Sequence, residues 1–185
     1  DEFERLTGRH YARVQGYRLK DAEYVIVGQG SVVANAEAVA DHLRATRGLK
    51  VGGMNLTMFR PFPSDLVTRF LRGKRGVVVL ERTDQPLASD APLLREIRAA
   101  MLQALENSRI VIGELRPYPA RASITADEIP DFYSGCFGLG SRDLGPGDLI
   151  ATVENMLPSG ARRRRYYLGV DFVRAGTKVP KLQIW

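Results

Sequence analysis

Three times along this chain a short, β-branched or apolar run gives way to a stretch with helical periodicity, and a fourth run follows. That alternation constrains the fold more than any single residue does. "YVIVGQG" (24–30) leads into "SVVANAEAVADHLRATRG" (31–48), where Val32, Ala36, Val39 and Leu43 share one helical face. "KVGGMNLTMF" (50–59) leads into "RPFPSDLVTRFLRG" (60–73), with Leu66, Val67, Phe70 and Leu71 turned inward. "RGVVVLE" (75–81) is continuous and apolar, as a strand covered on both faces must be. After the loop "RTDQPLASD" comes "APLLREIRAAMLQALEN" (91–107), with Leu94, Ile97, Met101 and Leu105 in one stripe. "RIVIGEL" (109–115) reads as a fourth strand. Such alternation specifies a three-layer α/β sandwich around a largely parallel sheet.

Local signals place the ends of these elements. Ser31 is positioned as an N-cap and Gly48 as a stop. The prolines of "RPFPS" set the entry of the second helix, where Ser64 and Asp65 supply first-turn oxygens. Residues 116–147, rich in Pro, Gly and Asp, read as a long connection with one helical turn near "TADEI". "GDLIATVENML" (147–157) restores a helix with Leu149, Ile150, Val153 and Leu157 on one face, and "YYLGVDF" (166–172) alternates as a strand does.

Several chemistries are excluded or weakened. The lone Cys136 forbids an internal disulfide and is too few for an iron–sulfur cluster or a structural zinc. His10 and His42 read as surface polar residues. No apolar run approaches the ~18 residues of a membrane span, and "DEFERLTGRHY" carries no signal-peptide pattern. With no initiator Met, the chain reads as a fragment, and one cysteine suits a reducing, cytoplasmic setting.

The net charge is +6, from 27 Lys and Arg against 21 Asp and Glu. Four cations, Arg162 to Arg165, form one run without a recognition motif; its reading is a solvated loop, with nucleic acid as the weaker alternative.

"VGQGS" puts Gly28 and Gly30 between a strand and a helix opened by Ser31. The third glycine of a dinucleotide fingerprint is missing, and Thr57 and Met58 stand where its acidic residue belongs. The turn is structural, or it is the anion site of a stand-alone nucleotide-binding α/β module. Cys136 reads as a structural cysteine, since no histidine lies near it in sequence. "YSGCFGLGSRDLGPGDL" (133–149) lacks the Lys-Ser/Thr of a Walker loop. Glu81, Arg82 and Asp84 follow a strand at the end where α/β domains place working groups, or else they cap a loop or make an interdomain ion pair.

In order, "LTGRHY", "DAEYVIVGQGS", "VGGMNLTMFRPFPSDLV", "GVVVLERTDQP…DAPLLREI", "GCFGLGSRDLGPGDLIATVENM" and "YYLGVDF" resemble the second domain of pyruvate:ferredoxin oxidoreductase, a thiamine diphosphate-dependent 2-oxoacid oxidoreductase family. The resemblance covers residues 5–173, and "FRPFP" paired with "FGLGSRD…NM" is the pattern of the large single-chain type. It implies a transketolase C-terminal-like, three-layer α/β/α sandwich with five strands, mostly parallel and one antiparallel. Residues 1–22 are then a lead-in, 23–173 the domain and 174–185 a linker toward the next domain.

The parent enzyme so implied uses thiamine diphosphate, Mg and [4Fe-4S] clusters. It converts pyruvate and coenzyme A to acetyl-CoA and CO2, and it reduces ferredoxin or flavodoxin. Its cluster cysteines, activating glutamate and diphosphate–magnesium motif lie in other domains. No catalytic, cofactor-binding or metal residue is therefore carried over, and no cofactor is expected in this fragment.

The implied partners are the other domains of a homodimeric parent, with neither nucleic acid nor membrane. Arg60, Phe62, Glu81 and Arg82, with the 116–135 connection, are the expected interface. Gly138 and Gly140 are expected to relieve backbone strain, Phe137 and Leu139 to anchor their loop, and Asp143 to cap it. The resemblance implies Asp where Glu81 stands, and glycines where Gln85 and Leu87 stand. This leaves pyruvate and another 2-oxoacid both open as substrate.

Overall fold

The computed structural model describes residues 2–9, 11–110 and 115–169. Its elements run α1 (Glu2–Thr7), β1 (Val14–Tyr17), β2 (Tyr24–Gly28), α2 (Val32–Arg47), β3 (Val51–Leu56), α3 (Ser64–Leu71), β4 (Gly76–Glu81), α4 (Pro92–Arg109), β5 (Asp131–Cys136), α5 (Pro146–Met156) and β6 (Arg165–Tyr167). The six strands form one sheet in the order β1-β3-β2-β4-β5-β6. β1 is antiparallel to β3 and every other pairing is parallel. The mostly parallel α/β/α architecture is as expected, with six strands rather than five.

Alternation along the strands divides the interior in two. Val25, Val27, Val77 and Val79 face α3 and α4, meeting Val67, Leu71, Leu94, Ile97 and Met101. Ile26, Val78, Leu80 and Tyr133 face α2 and α5, meeting Ala36, Val39, Leu43, Leu149 and Val153. The helical stripes read from the sequence are the faces that become buried. At roughly 25 cal/mol per Å² of apolar surface removed from water, these two layers dominate the favourable side of folding.

The helix ends differ more from expectation. Gly48 closes α2 in the left-handed region, at φ 66°. Ser31 holds the N-cap position, but its side chain makes no capping hydrogen bond. Ser64 and Asp65 do not cap α3 with their side chains either. Asp65 instead pairs with Arg13 at 3.1 Å, tying α3 to the chain just before β1.

Two readings are corrected, and a third falls mostly outside the described residues. Residues 131–136, expected inside a long connection, are strand β5, paired with β4 on one side and β6 on the other. Its small residues serve packing: a Cβ on Gly135 would lie 2.6 Å from Leu80 Cδ2. The strand expected over 109–115 begins inside α4, which ends at Arg109, and residues 111–114 lie outside the described residues. Asp143 is exposed, and Asp148 takes the capping role by accepting from Gly145 N at 2.9 Å.

Residues 1–22, expected as a lead-in, contribute β1 to the sheet. The short turn Ala126–Glu128 falls where "TADEI" suggested one, closed by a Thr125–Glu128 capping box. Of "YYLGVDF", Tyr166 and Tyr167 lie in β6, whereas residues 170–172 and the linker expected at 174–185 lie outside the described residues.

Candidate functional site

After β2 the chain moves to β3 on one side, then crosses to β4 on the other. The strand order therefore reverses between β2 and β4, and the carboxyl ends of these two strands frame the crevice where open α/β sheets place ligands. Two adjoining clefts of ≈ 320 Å³ each occupy this position and share Arg82 and Phe137. One takes Gln29, Phe59, Glu81 and Pro92 into its wall, and the other takes Ser31, Asn35, Arg142 and Asp143.

The charged groups at this end mostly hold the fold. Glu81, the last residue of β4, reaches across to α4, whose N-cap is Ala91 and has no side-chain acceptor. Leu93 N and Leu94 N donate to the Glu81 carboxylate at 2.6 and 3.2 Å, so two of the orphan donors at that helix start are satisfied from a distant strand. Burial raises the Glu81 pKa above the ordinary carboxylate range, against the lowering influence of those two hydrogen bonds.

Asp84 accepts from Tyr167 Oη at 2.8 Å, and Arg165 donates to Gln85 O at 3.1 Å; the loop after β4 is thus fastened to β6. Leu87, at the tip of that loop, is fully exposed, at 102%. Arg82 donates to Gly138 O at 3.3 Å. Gly138 has φ 69°, and a Cβ there would sit 2.8 Å from Arg82 Nε, so close approach and backbone conformation both call for glycine. Gly140 is likewise left-handed, at φ 63°. Phe137 packs on the α2/α5 core.

Cys136 is buried, and its thiol donates to Thr83 O at 3.2 Å. Burial, reinforced by Asp84 and Glu81, pushes that thiol up to about 11, so it is protonated and a poor nucleophile at neutral pH. This geometry does not fit the thiolate ligation of an iron–sulfur cluster, which also draws on several cysteines. A diphosphate-bound magnesium needs converging carboxylates, yet Glu81 and Asp84 are engaged by the fold. Among the described residues no three His, Cys, Asp or Glu converge as metal ligands.

Of the expected interface residues, three gather at one end. The Arg60 guanidinium lies 4.2 Å from the Phe59 ring centroid and pairs with Glu96 of α4 at 2.9 Å. Phe59 in turn lines the cleft with Glu81 and Arg82. Phe62 meets Phe59 edge-on, at 6.2 Å between centroids, but lines a separate cleft beside Arg13, Asp65 and Arg121. The 116–135 connection divides. Residues 131–135 are sheet interior, while Asn107 holds the preceding loop by accepting from Tyr118 N at 2.9 Å.

Gly30 is left-handed, at φ 74°, and with Ser31 it opens α2 toward the Arg142 cleft. His42 is exposed on α2; His10 lies outside the described residues. The arginine run is largely engaged by its own chain. Arg162 and Arg164 both pair with Asp131, at 2.5 and 2.8 Å, and Arg165 binds loop carbonyls.

The family described as pyruvate:ferredoxin oxidoreductase core domain II matches residues 22–114. The chain belongs to that family. The chain is 33% identical over 156 residues to the pyruvate synthase subunit PorA of Thermotoga maritima, covering 84% of this chain and 34% of the relative. It is 32% identical over 171 residues to the probable pyruvate-flavodoxin oxidoreductase of Escherichia coli, covering 92% of this chain and 13% of the relative. Against the pyruvate-flavodoxin oxidoreductase of a Nostoc species the figures are 30% over 175 residues, 92% and 37%. The chain thus spans a minor part of each of these relatives. No described helix is long and apolar enough to cross a membrane.

The Glu81 cap and the Asp84–Tyr167 clamp were out of reach of sequence reasoning. Their partners lie 12 and 83 residues away, and no local motif announces them.

Proposed function

We propose that this chain is the noncatalytic supporting domain of a thiamine diphosphate-dependent 2-oxoacid:ferredoxin oxidoreductase. The parent enzyme oxidatively decarboxylates pyruvate with coenzyme A to acetyl-CoA and passes electrons from [4Fe-4S] clusters to ferredoxin or flavodoxin. Thiamine diphosphate, Mg and the clusters sit in the other domains of a cytoplasmic homodimer. Residues 23–173 form the domain together with the edge strand β1 (Val14–Tyr17), and the carboxyl end of its sheet meets the neighbouring domains through Arg60, Phe62 and Arg82, with Glu81 shaping that surface from beneath.

The observation that carries this reading is the state of the groups at that end. An α/β fold places reactive side chains there, but here Glu81 caps α4, Asp84 holds Tyr167 and Cys136 is a buried thiol. Outward at that end stand Arg60, Arg82 and the bare Leu87, with Ser31, Arg142 and Asp143 exposed around the second cleft, a mixed surface that suits docking.

The test is a turnover assay of the isolated chain with pyruvate, coenzyme A and a viologen acceptor, beside calorimetric titration with thiamine diphosphate, coenzyme A and ADP. The expected result is neither acceptor reduction nor micromolar binding. Turnover overturns the proposal, and clear micromolar binding favours a nucleotide-binding module built on Gly28, Gly30 and Ser31.

A further inference from the structure

The amino end of the parallel strands carries a second, differently built surface. A cleft of ≈ 520 Å³ is rimmed there by Arg18, Lys20, Arg69, Arg72 and Lys74, with Phe70 in its wall. Among the described residues no Asp or Glu lines it. The cations rise from two sides, residues 18–20 beyond β1 and residues 69–74 at the end of α3, around a trough open to solvent. With Arg18 and Arg72 each paired to a carboxylate, the charge left to set the outward potential over this partly apolar floor is that of Lys20, Arg69 and Lys74.

The rim already displays the chemistry it prefers. Arg18 holds the Asp41 carboxylate at 2.5 Å, and Arg72 holds that of Glu128 at 2.5 Å. Lys74 donates to the carbonyls of Leu19 and Ala22 at 2.6 and 2.8 Å, and burial lowers its pKa from the ordinary lysine value. Arg69 lies 5.4 Å from the Phe70 ring centroid. No carboxylate of the described residues pairs with Arg69 or Lys20, both exposed. These two cations are the ones left for an outside partner.

We propose that this cleft seats an acidic polypeptide segment of the parent oxidoreductase, drawn from outside residues 1–185. The proposal rests on the reading of the chain as one part of a larger enzyme. Charge complementarity supplies the argument: carboxylates spaced along an extended segment match cations set on opposite sides of a trough, and Leu19 and Phe70 accept the apolar stems between them. The relatives supply room for such a segment, since this chain spans only 34% and 13% of the first two.

Zero-length carbodiimide cross-linking of the intact parent enzyme tests it, with peptide mass spectrometry as the readout. Lys20 is expected to join an Asp or Glu outside residues 1–185, and the yield of that product is expected to fall several-fold in Arg69→Glu. A Lys20 linked only to acids within residues 1–185 overturns the proposal. So does a Lys20 that stays open to a small acylating reagent, or one shielded only when tripolyphosphate is added, which marks a phosphate site instead. An enzyme that assembles and turns over normally with Lys20 open refutes this inference alone and leaves the supporting role of the domain intact.

Discussion

Glu81 shows how one side chain is held between opposing influences. The start of α4 attracts its carboxylate, since Leu93 N and Leu94 N both donate to it, while burial disfavours the charge. Burial is the larger influence, and the pKa is raised. A raised folded-state pKa means that the stability Glu81 contributes is full below the ordinary carboxylate range and is lost as pH rises through the raised value. Glu81→Gln acquires no charge as pH rises. Measured by urea midpoints at about pH 4 and about pH 7, the variant is therefore expected to gain on the wild type as pH rises. A gap that closes or reverses in the other direction contradicts the burial argument. Cys136 is governed by the same burial, which turns the only sulfur nucleophile of the sequence into a small core residue.

At the scale of elements, the legible strands were those whose residues state their environment. "YVIVG" and "GVVVLE" are buried almost throughout, and continuous β-branched runs have no comparable alternative. β5 was hidden because "DFYSGC" mixes an acid, a serine and a glycine into a strand. Its place comes from outside: Gly135 makes room for Leu80 and Tyr166, and Asp131 is held by Arg162 and Arg164. β1 was hidden for a related reason. Four residues with a central glycine carry little propensity, and their register comes from pairing with β3.

The α5–β6 connection depends on another close approach. A Cβ on Gly160 would lie 2.0 Å from Glu154 O and 2.8 Å from Asn155 O, and neither backbone oxygen can yield cheaply. Gly160→Ala is expected to destabilise the fold by about 2 kcal/mol or more and to loosen β6. Thermal melts read the first effect, and amide exchange at 165–167 the second. An unchanged midpoint contradicts it.

For the whole molecule, the two ends of the sheet are differently equipped. The carboxyl end presents Arg60, Arg82 and Leu87 above groups engaged in the fold, and the amino end presents a ring of cations. Family membership was legible in the order of segments, whereas neither end was, because each is assembled from loops far apart in sequence. The proposed role of this domain is to support catalysis without taking part in it. The measurement that tests it most directly is the steady-state kinetics of the complete enzyme carrying Arg60→Ala with Arg82→Ala, beside the amount of assembled enzyme. Less assembled enzyme is expected, with kcat per assembled molecule within about threefold of wild type; a kcat lowered roughly a hundredfold or more in fully assembled enzyme, the scale of a lost catalytic group, refutes the supporting role.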